Sequence, residues 1–182
     1  MLLSKNHILE EIKQGNIIIK PFEKKYLGVD TIDLRLSENV LISKNIGETI
    51  DPKNPTNYWV KKKIGKTGII LTPGTFLLGS TKERIGLGKG IAAFIEGRSS
   101  IGRLGIMVHV TAGLAHAGFG FKKPSTITLE IYSVNPNPVK LYANMRIAQL
   151  AFMRLSEKVK KGYDELGRYI NQQKPLPPKP VI

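Results

Sequence analysis

The sequence predicts an all-β domain, a barrel or sandwich, preceded by one short helix. Three observations carry this. Apolar residues recur with a period of two along several segments, the strand-like runs are short and fairly evenly spaced, and Gly or Pro turns such as Pro73-Gly74 and Asn135-Pro136-Asn137-Pro138 separate many of them.

The elements follow in order. Ser4 can cap a helix over 4–15 in which Ile8, Leu9 and Ile12 share a face and Gly15 ends the run. At 31–36 the residues Thr31-Ile32-Asp33-Leu34-Arg35-Leu36 alternate strictly, which sets Asp33 and Arg35 on one face of a half-buried strand and three aliphatics on the other. Further strands are expected at 39–43, 68–72, 75–80, 91–96, 106–111, 125–133, 138–142 and 147–155. Residues 44–66 carry Asp51-Pro52-Lys53-Asn54-Pro55 and a lysine run, so they read as an exposed excursion anchored by Tyr58 and Trp59. A single domain over 1–172 is expected, with a C-terminal lid at about 160–172. The stretch 173–182, rich in proline, reads as extended polyproline or frayed chain, with partner binding as the alternative.

Composition narrows the chemistry. In 182 residues there are 28 Lys plus Arg, 14 Asp plus Glu and no Cys, giving a formal charge of +14. Without cysteine there is no disulfide framework, thiolate zinc site, iron–sulfur cluster or cysteine nucleophile. The chain start lacks a signal peptide's apolar run, and no stretch approaches the roughly 18 apolar residues of a membrane helix. An intracellular, cytoplasmic location without a membrane is therefore expected. The charge calls for an anionic partner. Lysine clusters such as Lys61-Lys62-Lys63 read as solvated surface rather than a nucleic-acid stripe, because no aromatics interleave to stack on bases. Arg35, Arg98, Arg103 and Arg146 instead lie in apolar or Gly-rich segments, and guanidinium suits bidentate phosphate contacts.

Residues 96–105, Glu-Gly-Arg-Ser-Ser-Ile-Gly-Arg-Leu-Gly, concentrate two arginines, two hydroxyls and three glycines after a strand. Both a flexible turn and a phosphate cradle fit that composition; it is neither a P-loop nor a Rossmann fingerprint. Thr126, Thr128 and Glu130 share one face of the strand at 125–133. Glu130 is the only acid between Gly97 and Ser133, either a salt-bridge partner for an arginine or a general acid/base. His109 and His116 lack a neighbouring ligand cluster and read as structural rather than metal-binding.

These segments together resemble the dCTP deaminases, which belong with the trimeric dUTPases. The resemblance rests on 29–36 (Val-Asp-Thr-Ile-Asp-Leu-Arg-Leu), 97–105 (Gly-Arg-Ser-Ser-Ile-Gly-Arg-Leu-Gly), 109–113 (His-Val-Thr-Ala-Gly), 128–130 (Thr-Leu-Glu) and 146–150 (Arg-Ile-Ala-Gln-Leu). A weaker match is 168–172, Arg-Tyr-Ile-Asn-Gln. The resemblance implies a distorted β-barrel or jelly-roll of the dUTPase-like type, a homotrimer with shared active sites, and zinc-independent hydrolysis of dCTP to dUTP and ammonia. By position, Glu130 would carry protons between the attacking water, the ring nitrogen and the leaving amine. Ser99 and the carbonyl of Ala112 would hold the water, and Arg103 would stabilise charge beside the glutamate. Arg98, Ser99 and Ser100 would cradle the triphosphate, which would bring its own Mg2+. Thr128, Leu129 and Glu130 would line the base pocket, and Tyr163, Arg168 and Gln172 would form the lid.

Two departures stand out. Where the family has an aspartate after Thr-Ala-Gly that contacts the sugar, and in dUTPases helps activate water for triphosphate cleavage, this chain has His116. As a replacement for the sugar contact, His116 would act as a neutral donor. The following loop is also about four residues longer, with Phe121-Lys122-Lys123-Pro124 inserted. The expected product is therefore dUTP, with a bifunctional enzyme giving dUMP and diphosphate, a dUTPase, or a non-catalytic nucleotide-binding regulator as alternatives.

Overall fold

The computed structural model describes residues 1–55 and 57–181; position 56 of the 44–66 excursion and position 182 of the tail lie outside the described residues. Helix α1 (Lys5–Lys13) ends as Gly15 and Asn16 turn back, their N–H groups donating to the carbonyls of Ile12 (3.1 Å) and Glu11 (2.9 Å). Gly15 supplies the positive φ, +77°, that this closure needs. Ser4 sits at the N-cap, but its hydroxyl pairs with Nδ1 of His7 (3.0 Å) instead of a backbone amide.

Strand β1 (Ile17–Lys20) follows, then a 3-10 turn (Lys24–Tyr26), β2 (Thr31–Arg35), β3 (Asn39–Ser43), β4 (Trp59–Lys63), β5 (Ile69–Leu71), β6 (Phe76–Ser80), β7 (Arg84–Leu87) and β8 (Ile91–Gly97). A short helix α2 (Ser99–Gly102) leads to β9 (Ile106–Met107), β10 (Leu114–Ala115), β11 (Thr128–Ser133), β12 (Val139–Leu141) and β13 (Arg146–Arg154). Helix α3 (Tyr163–Leu166) lies within the expected lid.

The chain is mainly β, as expected, but the described strands do not close into a barrel. They form a four-stranded sheet, β10-β8-β13-β2, a five-stranded sheet, β4-β3-β6-β11-β9, and two ribbons, β1-β7 and β12-β5. Alternation explains the arrangement. Ile32, Leu34, Ala93, Ile95, Leu150 and Phe152 from one sheet and Val40, Leu77, Leu129 and Ile131 from the other belong to one buried apolar cluster. Each fully buried aliphatic in such a cluster is worth roughly 1.5–3 kcal/mol relative to exposure. No helix among the described residues is long and apolar enough to cross a membrane.

Four strands were not expected from the sequence. β4 is the instructive one: Lys61, Lys62 and Lys63 are exposed, and β4 pairs only with β3, so it is a sheet edge with lysines to solvent. The excursion thus returns to the sheet. Arg35 shares a strand with Asp33 but is buried, clamped by Glu83 (Nε to Oε1 2.6 Å) and Glu23 (2.6 Å) and stacked on Tyr26. It braces the fold and is not free for phosphate.

The proline-rich tail is extended and packed. Pro175 is buried, Lys179 N–H donates to the Tyr169 hydroxyl (2.9 Å), and Val181 N–H donates to the Pro52 carbonyl (2.7 Å).

Candidate active site

The outward face of the five-stranded sheet carries Glu130. In β11 the odd-even pattern sends Leu129 and Ile131 into the core and leaves Thr128, Glu130 and Tyr132 half-buried on the other side. Register places Leu78 opposite Glu130 and Phe76 opposite Tyr132. A cavity of ≈460 Å³ opens over this face, lined by Glu130, Thr128, Ala112, His116, Tyr163 and Gln172 among others.

Glu130 makes no ion pair among the described residues; backbone amides hold it instead. Its Oε2 accepts the N–H groups of Val110 (2.9 Å) and Thr111 (3.0 Å). Those amides point at the carboxylate because 108–113 leaves the sheet: the strand expected at 106–111 stops at Met107. One carboxylate oxygen is fixed, and the other has no hydrogen bond among the described residues. A carboxylate so held beside the Ala112 segment can take a proton from water and give it up again.

The lid side is also tied down. Gln172 donates from Nε2 to the Thr126 carbonyl (2.8 Å) and accepts from the Thr128 hydroxyl at Oε1 (3.2 Å). His116 is exposed, yet its ring stacks on Tyr163.

A second cleft, of ≈540 Å³, is lined by Asp33, Arg98, Ser99, Ser100, Arg103 and Gln149. Here the outward face of the four-stranded sheet supplies Asp33 and Gln149, and the β8–α2 turn supplies the rest. Asp33 accepts from Arg98 Nε (2.8 Å) and from Arg146 (3.1 Å), so one carboxylate orients two guanidiniums. Gln149 accepts from Thr31 (3.1 Å) and donates to the Gly97 carbonyl (3.1 Å), fixing the strand end that launches the turn. Two arginines against one aspartate leave net positive charge beside the Ser99 and Ser100 hydroxyls, a combination suited to phosphate oxygens.

Residues 2–155 match the dCTP deaminase-like family. The chain belongs to that family. One relative, from Hydrogenobaculum sp. and named dCTP deaminase, dUMP-forming, is 43% identical over 157 residues, spanning 86% of this chain and 84% of its own. A second of the same name, from Coprothermobacter proteolyticus, is 40% identical over 178 residues, spanning 96% and 94%. The 2'-deoxycytidine 5'-triphosphate deaminase from Agrobacterium tumefaciens superposes with a TM-score of 0.63 at 20% identity. The superposition covers 83% of this chain and 47% of that one, about half the neighbour's length, and establishes the shared fold.

Within this dCTP deaminase-like chain the residues named from the sequence fall into separate groups. Glu130, Ala112, His116, Thr128, Tyr163 and Gln172 meet at the first cavity, while Arg98, Ser99, Ser100 and Arg103 meet at the second. Leu129 joins neither: its side chain has 0% exposure, so only its backbone is left to meet a ligand. Arg168 is also outside both, since its guanidinium donates to the Pro180 carbonyl. Sequence reasoning missed Trp59, Phe76 and Leu78 and the tail residues Leu176 and Pro178 as cavity walls. The strand expected at 75–80 would place Phe76 and Leu78 on one face, whereas nothing local announces Leu176 or Pro178.

Proposed function

We propose that this protein hydrolytically deaminates dCTP, releasing ammonia. The observation that carries the reading is Glu130, anchored through one oxygen by two backbone amides in a cavity over the sheet. In this mechanism Glu130 accepts a proton from water as it adds to C4 and delivers it to the ring nitrogen and the departing amine. The Ala112 carbonyl and Ser99 hold that water, and Arg103 stabilises the charge that develops beside Glu130. Arg98, Ser99 and Ser100 take the triphosphate, with Arg98 preset by Asp33. Mg2+ would arrive on the phosphates.

A homotrimer with shared sites belongs to the same proposal. It is supported by the separation of Glu130 from the arginine-serine cradle into two cavities within one subunit, which a neighbouring copy would reunite. Phe94 and Leu114, cross-strand partners on β8 and β10, are both 40% exposed, an apolar pair suited to burial against another chain.

The proposed product is dUTP, because Glu130 is the only carboxylate on the first cavity's described wall and His116 stands where the family has an aspartate. A second reading, onward cleavage to dUMP and diphosphate, is favoured by the names of the two relatives. Incubation with dCTP, and separately with dUTP, in the presence of Mg2+ tests both. Accumulating dUTP with dUTP itself untouched supports the first, dUMP supports the second, and no turnover of either substrate favours a nucleotide-binding regulator.

A further inference from the structure

The cavity around Glu130 is polar at one end and apolar at the other. Along β11, Thr128 precedes Glu130 on the same face, and Gln172 lies against Thr128. In the opposite direction Leu78 sits across from Glu130, and Phe76 stands one pleat repeat, about 7 Å, further along. Trp59 meets Phe76 edge-on with ring centroids 5.7 Å apart, and Leu176 and Pro178 of the tail line the same cavity.

A cytosine ring has the same asymmetry. One edge carries O2, N3 and the amine; the other carries C5–H and C6–H, and C4 lies at the junction. Deamination requires C4 at Glu130. The hydrogen-bonding edge then faces Thr128 and Gln172, because a carbonyl or ring nitrogen turned to Leu78 and Phe76 would be desolvated without a partner. C5 therefore points toward Leu78, Phe76 and Trp59, at the apolar end of the ≈460 Å³ cavity.

We propose that the protein also deaminates cytosine deoxynucleoside triphosphates carrying an apolar group at C5, of which the 5-methyl compound is the smallest. The proposal rests on the deaminase reading above. The reaction balances as before: a C4–O bond forms from water, the C4–N bond breaks, and ammonia leaves with the proton Glu130 delivers, giving a thymine nucleotide.

The test is parallel turnover of dCTP and 5-methyl-dCTP by the full chain, with ammonia release and product mass as readouts. We expect kcat/KM for the methylated substrate between equal to and about tenfold above that for dCTP, the worth of a methyl group in an apolar pocket. In Trp59→Ala and in Phe76→Leu the ratio of the two kcat/KM values falls, and either variant suffices if the other does not fold. Normal dCTP turnover with kcat/KM for 5-methyl-dCTP below about a tenth of that for dCTP overturns the inference alone. So does a ratio unmoved in a folded variant. Failure of both substrates overturns the deaminase reading and this inference with it.

Discussion

The rings of His116 and Tyr163 lie nearly parallel, their centroids 5.6 Å apart and their planes 8° from coplanar. Around that contact the loop after β10 and the segment carrying α3 are joined by backbone. Tyr163 N–H donates to the Ala117 carbonyl (2.8 Å), and Gly118, at φ +86°, approaches Gly162 so closely that an added Cβ would fall 2.6 Å from its Cα. His116 therefore ties its loop to the segment that carries Tyr163.

His116→Asp removes the stack and supplies a carboxylate at that place. We expect the ratio of dUMP to dUTP formed from dCTP to rise, measured by ion-exchange separation of products, together with a changed KM for dCTP. An unchanged ratio and KM would sink the assignment of product control to this residue.

Glu130→Gln keeps the shape of the side chain and loses the proton carrier. We expect deamination to fall by about 10²–10⁴-fold, with dCTP affinity in a binding titration changed little. Retained turnover would refute the mechanism.

Leu129→Ala separates packing from substrate contact. Because Leu129 is fully buried, we expect a loss of about 2–5 kcal/mol of stability in denaturant unfolding. A substitution that left stability intact but raised KM would place the side chain at the ligand instead.

The lid should loosen in acid. A hydrogen bond from Lys89, and then the Gly162 backbone N–H, hold the Glu165 carboxyl below its ordinary value of 4.5. A depressed carboxyl stabilises the folded form above its unfolded value and ceases to do so as pH falls through the folded one. We expect amide exchange across 160–166, corrected for its intrinsic pH dependence, to quicken as pH falls below the ordinary carboxyl value of 4.5 and with added salt. Glu165→Gln should be equally fast at neutral pH, and indifference to all three changes would count against an ionic tether.

β2 was legible from its clean alternation, beginning where the sequence placed it and ending one residue early. β1 was missed because Ile17-Ile18-Ile19 is a bare apolar run with no alternation to read, and β4 because lysines at a sheet edge look like a loop. The strand expected from 125 starts at Thr128, since Ser125 and Thr126 spend their amides on Ile85 and Gln172 instead of a ladder. The site's residue types were legible, but their division between two cavities was not. That division depends on which sheet face each strand presents, and the tail's place depends on contacts such as Val181 with Pro52, remote in sequence.

Every residue type except proline carries a backbone N–H donor. Since Glu130 is gripped by the amides of Val110 and Thr111, exchange of either side chain leaves that grip in place. Proline is the one substitution at either position barred outright by this contact.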